Sequence, residues 1–118
     1  MLVRYRKDYQ KIALGLLSLI PELRDNHRFR DELDWALQEG RVVYLWKDQE
    51  DNHFIAVAIL DVGDDYVLIR WLSFTPSERS GRNVYALLTA IRDEYPGHRL
   101  MGTMATQPLI TAWGKANE

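Results

Sequence analysis

A short polar loop between two apolar segments holds the residues of this sequence that are best suited to bind an anion. Its members are Arg79, Ser80, Gly81, Arg82 and Asn83. Residues 67–74 before it alternate β-branched and aromatic side chains, as strands do, and residues 84–95 after it place apolar side chains at helical spacing. A strand leading into a helix through such a loop directs backbone N–H groups and the positive helix end toward one point. The pattern favours phosphate binding, although ordinary turns and helix N-caps use the same residues.

The other ionisable side chains form no recognised catalytic or metal-binding motif. Four carboxylates are imaginable general bases, but each is more typical of surface charge: Glu32, Asp34, Asp61 and Glu78. The histidines, at positions 27, 53 and 98, lack the close spacing of metal ligands. The sequence contains no cysteine, which excludes thiolate chemistry and disulfides. We therefore expect no metal.

The composition is that of one globular domain spanning residues 1–118. A net charge of −2 argues against a dedicated nucleic-acid binder, because no general cationic surface is available to neutralise phosphates. The longest apolar run, residues 12–21, is interrupted by Gly15 and Ser18 and is too short to cross a bilayer. No signal-type cleavage site follows the first residues. The expectation is a cytoplasmic protein without nucleic-acid or membrane partners.

Apolar periodicity predicts two successive helices after a first short strand at residues 2–5. The first helix is expected to start near Asp8 and to stop at Pro21. The second is expected to start near residues 25–26 and to end before Gly40, which suits a left-handed C-terminal position. Its inward-facing residues are predicted to be Phe29, Leu33, Ala36 and Leu37.

Three strands are predicted next, at residues 41–47, 54–60 and 66–74, and their short connections require antiparallel hairpins. The central strand is apolar on both faces, which predicts burial between helices. After the helix at residues 84–95, a strand at 99–104 and a helix at about 108–116 complete the order β-α-α-β-β-β-α-β-α. The predicted fold class is α/β (α+β), a mixed, mostly antiparallel sheet flanked by helices, with one right-handed parallel crossover.

This order of elements resembles the GNAT family of acyl-CoA-dependent N-acetyltransferases over essentially the whole chain. The likeness is most specific in IRWLSFTPSER at residues 69–79, which is similar to the family's fourth strand and its entry into the phosphate loop. The segments MLVRYRK, KIALGLLS and LWKD point to one subfamily within the GNAT family. They are similar to the small acetyltransferase-like proteins of riboflavin-biosynthesis operons in Gram-positive bacteria.

The resemblance implies a binding site for acetyl-CoA. In the family, the fourth strand bulges away from the fifth, and pantetheine pairs with backbone in the gap; the matching residues are Leu72, Ser73 and Phe74. The pyrophosphate lies on a loop of pattern Gln/Arg-x-x-Gly-x-Gly/Ala. The residues that match this loop are Arg79, Ser80, Gly81, Arg82, Asn83 and Val84.

The chain departs from the family pattern at several positions. Arg82 and Val84 stand where the loop has glycines, which let backbone approach phosphate closely. Trp113 stands where the family has the Tyr that protonates the leaving thiolate, and an indole has no proton to give. The chain stops after this last helix, whereas the family usually adds strands. A free edge at residues 99–104 is therefore expected, and with it a homodimer.

The sequence leaves three functions open. The first is acetyl transfer from acetyl-CoA to a small-molecule amine, with a link to riboflavin metabolism implied by the resemblance. The second is a non-catalytic module that binds CoA for regulation through a degenerate phosphate loop. The third is an interaction domain that uses the same sheet for partner contact. No residue is assigned as catalytic, since the acid position holds Trp113.

Overall fold

The protein is described here from a computed structural model that covers residues 1–48 and 50–116. Its centre is a single sheet in which strands follow one another in chain order. The strands are β1 (Leu2–Arg4), β2 (Arg41–Lys47), β3 (Phe54–Val62), β4 (Tyr66–Phe74) and β5 (Arg99–Gly102). Pairing is antiparallel from β1 to β4 and parallel between β4 and β5. The predicted mixed, mostly antiparallel sheet is confirmed.

Helices cover both faces of this sheet. The helices are α1 (Gln10–Leu17), α2 (Pro21–Arg24), α3 (Phe29–Ala36), α4 (Gly81–Glu94) and α5 (Gln107–Ala116). Apolar side chains of α1, α2 and α3 pack on one face, and those of α4 and α5 pack on the other. The middle strand β3 is buried from Ile55 to Leu60, as its continuous apolar sequence predicts.

The helical region before β2 differs in detail from the prediction. The first helix ends at Leu17, not at Pro21, and Pro21 instead opens the one-turn helix α2, where its fixed φ is favourable and its missing N–H costs nothing. The next helix begins at Phe29, three to four residues later than expected, after His27 adopts a positive φ of 53°. Leu37, predicted to face inward, is 50% exposed because α3 ends at Ala36. Gly40 has the expected left-handed conformation, with φ of 86°.

The last strand is shorter than predicted and lies at the edge of the sheet. It ends at Gly102, not residue 104, because residues 103–106 form the turn that caps α5. Within the described residues, no strand pairs with the outer edge of β5. The homodimer expected from this free edge stays a prediction. None of the helices in residues 1–48 and 50–116 is long and apolar enough to cross a membrane.

Candidate active site

The strand β4 contains a bulge that divides it into two halves. Ile69 pairs with Leu60 and Trp71 pairs with Ile59, so Arg70 is an extra residue without a partner in β3. Before the bulge, β4 lies between two strands, because residues Tyr66 to Ile69 also pair with β5. After the bulge, residues 71–74 pair with β3 alone. One side of this second half is therefore open.

The gap between β4 and β5 is created at the start of α5. The buried Thr106 hydroxyl donates to the Ile69 carbonyl at 2.6 Å and accepts the Thr103 N–H at 3.0 Å, so it takes the place of a further ladder bond. Gly102 lies against this turn so closely that a Cβ there would sit 2.5 Å from Thr106 Oγ1 and 2.7 Å from the Gln107 nitrogen. Only glycine allows the helix to begin this close to the strand end.

The open half of β4 directs backbone groups into the gap. The Thr75 N–H donates to the Ile55 carbonyl at 2.9 Å, which marks this pair as hydrogen-bonded. Because such pairs alternate in an antiparallel ladder, the backbone N–H and C=O of Leu72 and Phe74 point away from β3. Ser73 instead uses its side chain, whose hydroxyl donates to the Leu16 carbonyl at 2.6 Å. The strand is thus fixed on one side, and on the other its backbone groups face the gap, where the Phe74 carbonyl accepts a hydrogen bond from Arg79.

A cavity of about 320 Å³ lies in front of this open half. Its walls come from the turn after α1, from β4, from the loop before α4 and from the start of α5. The lining residues are Leu19, Ile20, Pro21, Glu22, Trp71, Leu72, Ser73, Phe74, Arg79, Val84, Ala105, Thr106 and Leu109. Five of the nine predicted cofactor residues line this cavity, namely Leu72, Ser73, Phe74, Arg79 and Val84.

The loop after β4 forms a capped helix N-terminus. Ser80 caps α4 by accepting the Asn83 N–H at 3.2 Å, and the Asn83 amide group donates to the Glu78 carbonyl at 2.8 Å. The N–H groups of Gly81 and Arg82 have no partner within the described residues. A Cβ on Gly81 would meet no atom of another part of the protein within 4 Å, so the space beside this residue is open. The geometry leaves donors and room for an anion.

The three bulky loop residues point in different directions. Arg79 lines the cavity and donates to the Phe74 carbonyl at 3.3 Å. Arg82 lines a separate polar depression together with Lys47. Val84 is buried in the core under α4, so its side chain does not stand in front of the helix end. The substitutions at the two glycine positions therefore do not fill the open space at Gly81.

The candidate bases are spread over the molecule, and sequence reasoning missed one. Glu32 is nearly buried and accepts the Trp71 indole N–H at 3.2 Å, whereas Glu78 lies at the cap of α4. Neither borders the cavity; its one carboxylate among the described residues is Glu22. Sequence gave no signal for Glu22, because its position depends on the one-turn helix that Pro21 opens. No group of three or more His, Asp or Glu in the described part of the chain is arranged to hold a metal ion.

Comparison with known proteins decides the family. No family model matches the sequence. A relative in Bacillus methanolicus, an uncharacterized N-acetyltransferase in the lysA 3′ region, is 33% identical over 111 residues, which are 93% of this chain and 92% of that protein. The chain belongs to the GNAT family of N-acetyltransferases.

Solved structures agree with this GNAT fold. A probable acetyltransferase matches with a TM-score of 0.71 and 14% identity over 97% of this chain and 88% of that one. The aminoglycoside 6′-N-acetyltransferase AAC(6′)-Ih of Acinetobacter baumannii matches with a TM-score of 0.66 and 14% identity over 98% and 87% of the two chains. The aminoglycoside N-acetyltransferase AAC(6′)-Iy, solved with CoA, matches with a TM-score of 0.64 and 16% identity over 97% and 86%. Family membership supports an acetyl-CoA-dependent acyltransferase, and two of the neighbours that share its fold were solved with CoA.

The residue at the GNAT acid position lies in the core. Trp113 is only 8% exposed, packs between α5 and α4, and donates its indole N–H to the Thr89 hydroxyl at 3.0 Å. It is not among the residues that line the cavity at β4. Helical periodicity in the sequence indicates a core residue equally well, and the structure places Trp113 there.

Proposed function

We propose that this GNAT protein transfers the acetyl group of acetyl-CoA to the amine of a small molecule bound in the cavity beside β4. The observation that carries the proposal is the open half of β4, which leads directly into a free helix N-terminus. Backbone groups within a strand are normally paired when they are buried, so groups that face a cavity instead are suited to bind a ligand. An acceptor and the acetyl end of the cosubstrate would share the same space.

Acetyl-CoA binds to the backbone donors and acceptors that face the cavity and the start of α4. Pantetheine amides pair with the backbone of Leu72 and Phe74, as an added strand would. The pyrophosphate accepts the N–H groups of Gly81 and Arg82 at the positive end of α4. Arg79, at the wall between these two regions, adds a charge-assisted hydrogen bond to phosphate when it leaves the Phe74 carbonyl.

The reaction needs little more than orientation and two proton transfers. The neutral amine nitrogen attacks the thioester carbonyl carbon, the C–S bond breaks, and the thiolate of CoA leaves. The Phe74 N–H stabilises the developing oxyanion. Glu22 receives the proton that the amine gives up, directly or through one water, because it is the carboxylate at the cavity wall. The thiolate is protonated by solvent, since Trp113 is buried away from the cavity.

The test is a calorimetric titration with acetyl-CoA together with a thiol-release assay over a panel of small amines. Arg79→Ala should weaken acetyl-CoA binding about tenfold, because one charge-assisted hydrogen bond to phosphate is lost. Arg99→Ala, on the exposed edge of β5, is the matched control and should bind as the wild type does. Glu22→Gln should lower kcat by about 10² while leaving acetyl-CoA affinity unchanged.

Two results would contradict the proposal in different ways. Acetyl-CoA binding without thiol release for any amine would favour a regulatory CoA-binding module. No acetyl-CoA binding at all would favour an interaction domain. The link to riboflavin metabolism rests on sequence resemblance and remains a prediction, as does a cytoplasmic homodimer.

A further inference from the structure

A second cluster of charged and aromatic side chains lies on the face of the sheet that carries α1 to α3. Its centre is Trp35 of α3. The Arg41 guanidinium carbon lies 3.7 Å from the centroid of the Trp35 ring, and the Arg70 guanidinium carbon lies 4.4 Å from it. Arg70 is the bulge residue of β4, so the bulge is what brings the second guanidinium to this ring. We call Trp35, Arg41 and Arg70 the basic cluster.

The positive charge of the basic cluster is not neutralised by its neighbours. Neither arginine forms an ion pair within 4.0 Å in the part of the chain that the structure describes. The Nε atom of each is buried without a hydrogen-bond partner. Asp61 lies directly opposite Arg41 in the ladder, but it forms no ion pair with that guanidinium. Unpaired buried donors cost free energy unless something accepts from them.

One residue of the basic cluster is a chain neighbour of the cavity wall, although Trp35, Arg41 and Arg70 do not themselves line the cavity. Arg70 directly precedes Trp71, which lines the cavity wall, and the Trp71 indole N–H donates to Glu32 at 3.2 Å. Glu32 and Trp35 are three residues apart on α3 and therefore share one face of that helix. Glu32 is itself held by Arg28 at 3.6 Å, so its charge is partly compensated.

We propose that the basic cluster binds an oxyanion, a carboxylate or a phosphate, carried by the amine acceptor. This inference rests on the proposed acetyl transfer and specifies its substrate class. Arginine suits the role because its planar, weakly hydrated guanidinium stacks on an aromatic ring while its remaining N–H donors form bidentate bonds to oxyanions. An amine with such a group would place its anion at Arg41 and Arg70 and its nitrogen toward the cavity.

The experiment compares three small amines of similar shape, namely ethanolamine, β-alanine and O-phosphoethanolamine. Each is titrated into the whole protein by calorimetry in the presence of saturating CoA, which occupies the helix end at α4 and excludes phosphate from it. The wild type should bind at least one of the two anionic amines about tenfold more tightly than ethanolamine, as expected for hydrogen bonds to a charged group. The preferred amine tells a carboxylate from a phosphate.

Variants then locate the site. Arg41→Gln and Arg70→Gln should each remove the preference for the anionic amine, and Arg70→Lys should keep part of it. Arg92→Gln is the matched control, because Arg92 also lies over a tryptophan, Trp113, but on the opposite side of the sheet. Circular dichroism verifies that each variant is folded.

Two outcomes would overturn the proposal. The first is a wild type that binds both anionic amines no better than ethanolamine. The second is a preference that survives in both glutamine variants or is lost equally in Arg92→Gln. These outcomes concern binding alone, so they are distinct from failure of acetyl transfer, which the thiol-release assay measures. Anion preference without turnover would leave the oxyanion site standing and reject the catalytic proposal.

Discussion

The two halves of β4 have the same kind of sequence and opposite surroundings. Residues Tyr66 to Ile69 lie between β3 and β5, and Val67 and Ile69 are fully buried there. Residues 71–74 have β3 on one side and the cavity on the other. Each half contains aromatic and aliphatic side chains, Tyr-Val-Leu-Ile in the first and Arg-Trp-Leu-Ser-Phe in the second. Whether a half of β4 is structural or free to bind a ligand is therefore decided by the segment beside it, which is β5 and the turn before α5, and not by the strand itself.

Two small residues in that neighbouring segment determine where the pairing between β4 and β5 ends. Gly102 lets the turn before α5 approach the end of β5, and Thr106 supplies the hydroxyl that ends the pairing at Ile69. In the gap, the Ile69 carbonyl is satisfied by the Thr106 hydroxyl, and the later backbone groups of β4 on this side have no partner strand. Substitutions before Arg70 should consequently lower mainly the stability of the protein, and substitutions after it should affect stability less and acetyl-CoA binding more.

The largest expected effect comes from truncating one core residue in each half. Ile69→Ala removes a fully buried side chain and should lower the free energy of unfolding by about 3 kcal/mol. Leu72→Ala removes a half-buried side chain at the cavity wall and should cost less than about 1.5 kcal/mol. Urea denaturation gives both values. Equal losses would mean that the second half is as tightly packed as the first.

An intermediate effect is expected from two glycines that lie on either side of the gap. Gly102→Ala should cost about 1–3 kcal/mol, because the new methyl group would overlap Thr106, the Gln107 nitrogen and Ile110. Gly81→Ala meets no protein atom and should leave the melting temperature unchanged or slightly raised. Calorimetry with acetyl-CoA should show weaker binding for Gly81→Ala, since its methyl group occupies the proposed phosphate space. Wild-type affinity in this variant would move the pyrophosphate away from the end of α4.

The smallest effect tests whether the open half acts through its backbone. Ser73→Ala deletes a buried hydrogen bond to the Leu16 carbonyl, which also accepts the Leu19 N–H at 3.2 Å and so keeps a partner. The loss of stability should be about 1 kcal/mol. Acetyl-CoA affinity should not change, because the Ser73 side chain faces α1. A marked loss of affinity would indicate that the hydroxyl itself contacts the cosubstrate.

Local sequence patterns were enough to predict most of the fold. The strands β2 to β4, the helix after the polar loop, and the left-handed Gly40 follow from alternation, helical spacing and end signals. The predicted end of the first helix at Pro21 and the predicted start of the second near residues 25–26 were wrong, and α2 was not predicted, because Pro can either end a helix or begin one. Local sequence contains no information that chooses between these two uses.

The site was harder to predict than the fold. The sequence indicated the loop and the second half of β4 through family resemblance, but it gave no sign of Glu22 at the cavity wall or of the stacking around Trp35. Those arrangements join residues that are tens of positions apart, as Trp35 and Arg70 are. Such contacts depend on strand register and helix placement, and no local periodicity encodes them.

The single extra residue at position 70 has one more consequence, which concerns the phase of the strand. Before the bulge, the odd-numbered Val67 and Ile69 face the core under α4 and α5. After it, the even-numbered Leu72 and Phe74 face that core, and the odd-numbered Trp71 turns to the opposite layer. A strand without this shift in parity would bury Trp71 and Ser73 beneath α4 and expose Leu72 and Phe74 to the other layer. The alternation of side chains between the two faces of the sheet therefore shifts by one residue at Arg70. Because of this one inserted residue, odd-numbered side chains face α4 and α5 before the bulge and even-numbered side chains face them after it.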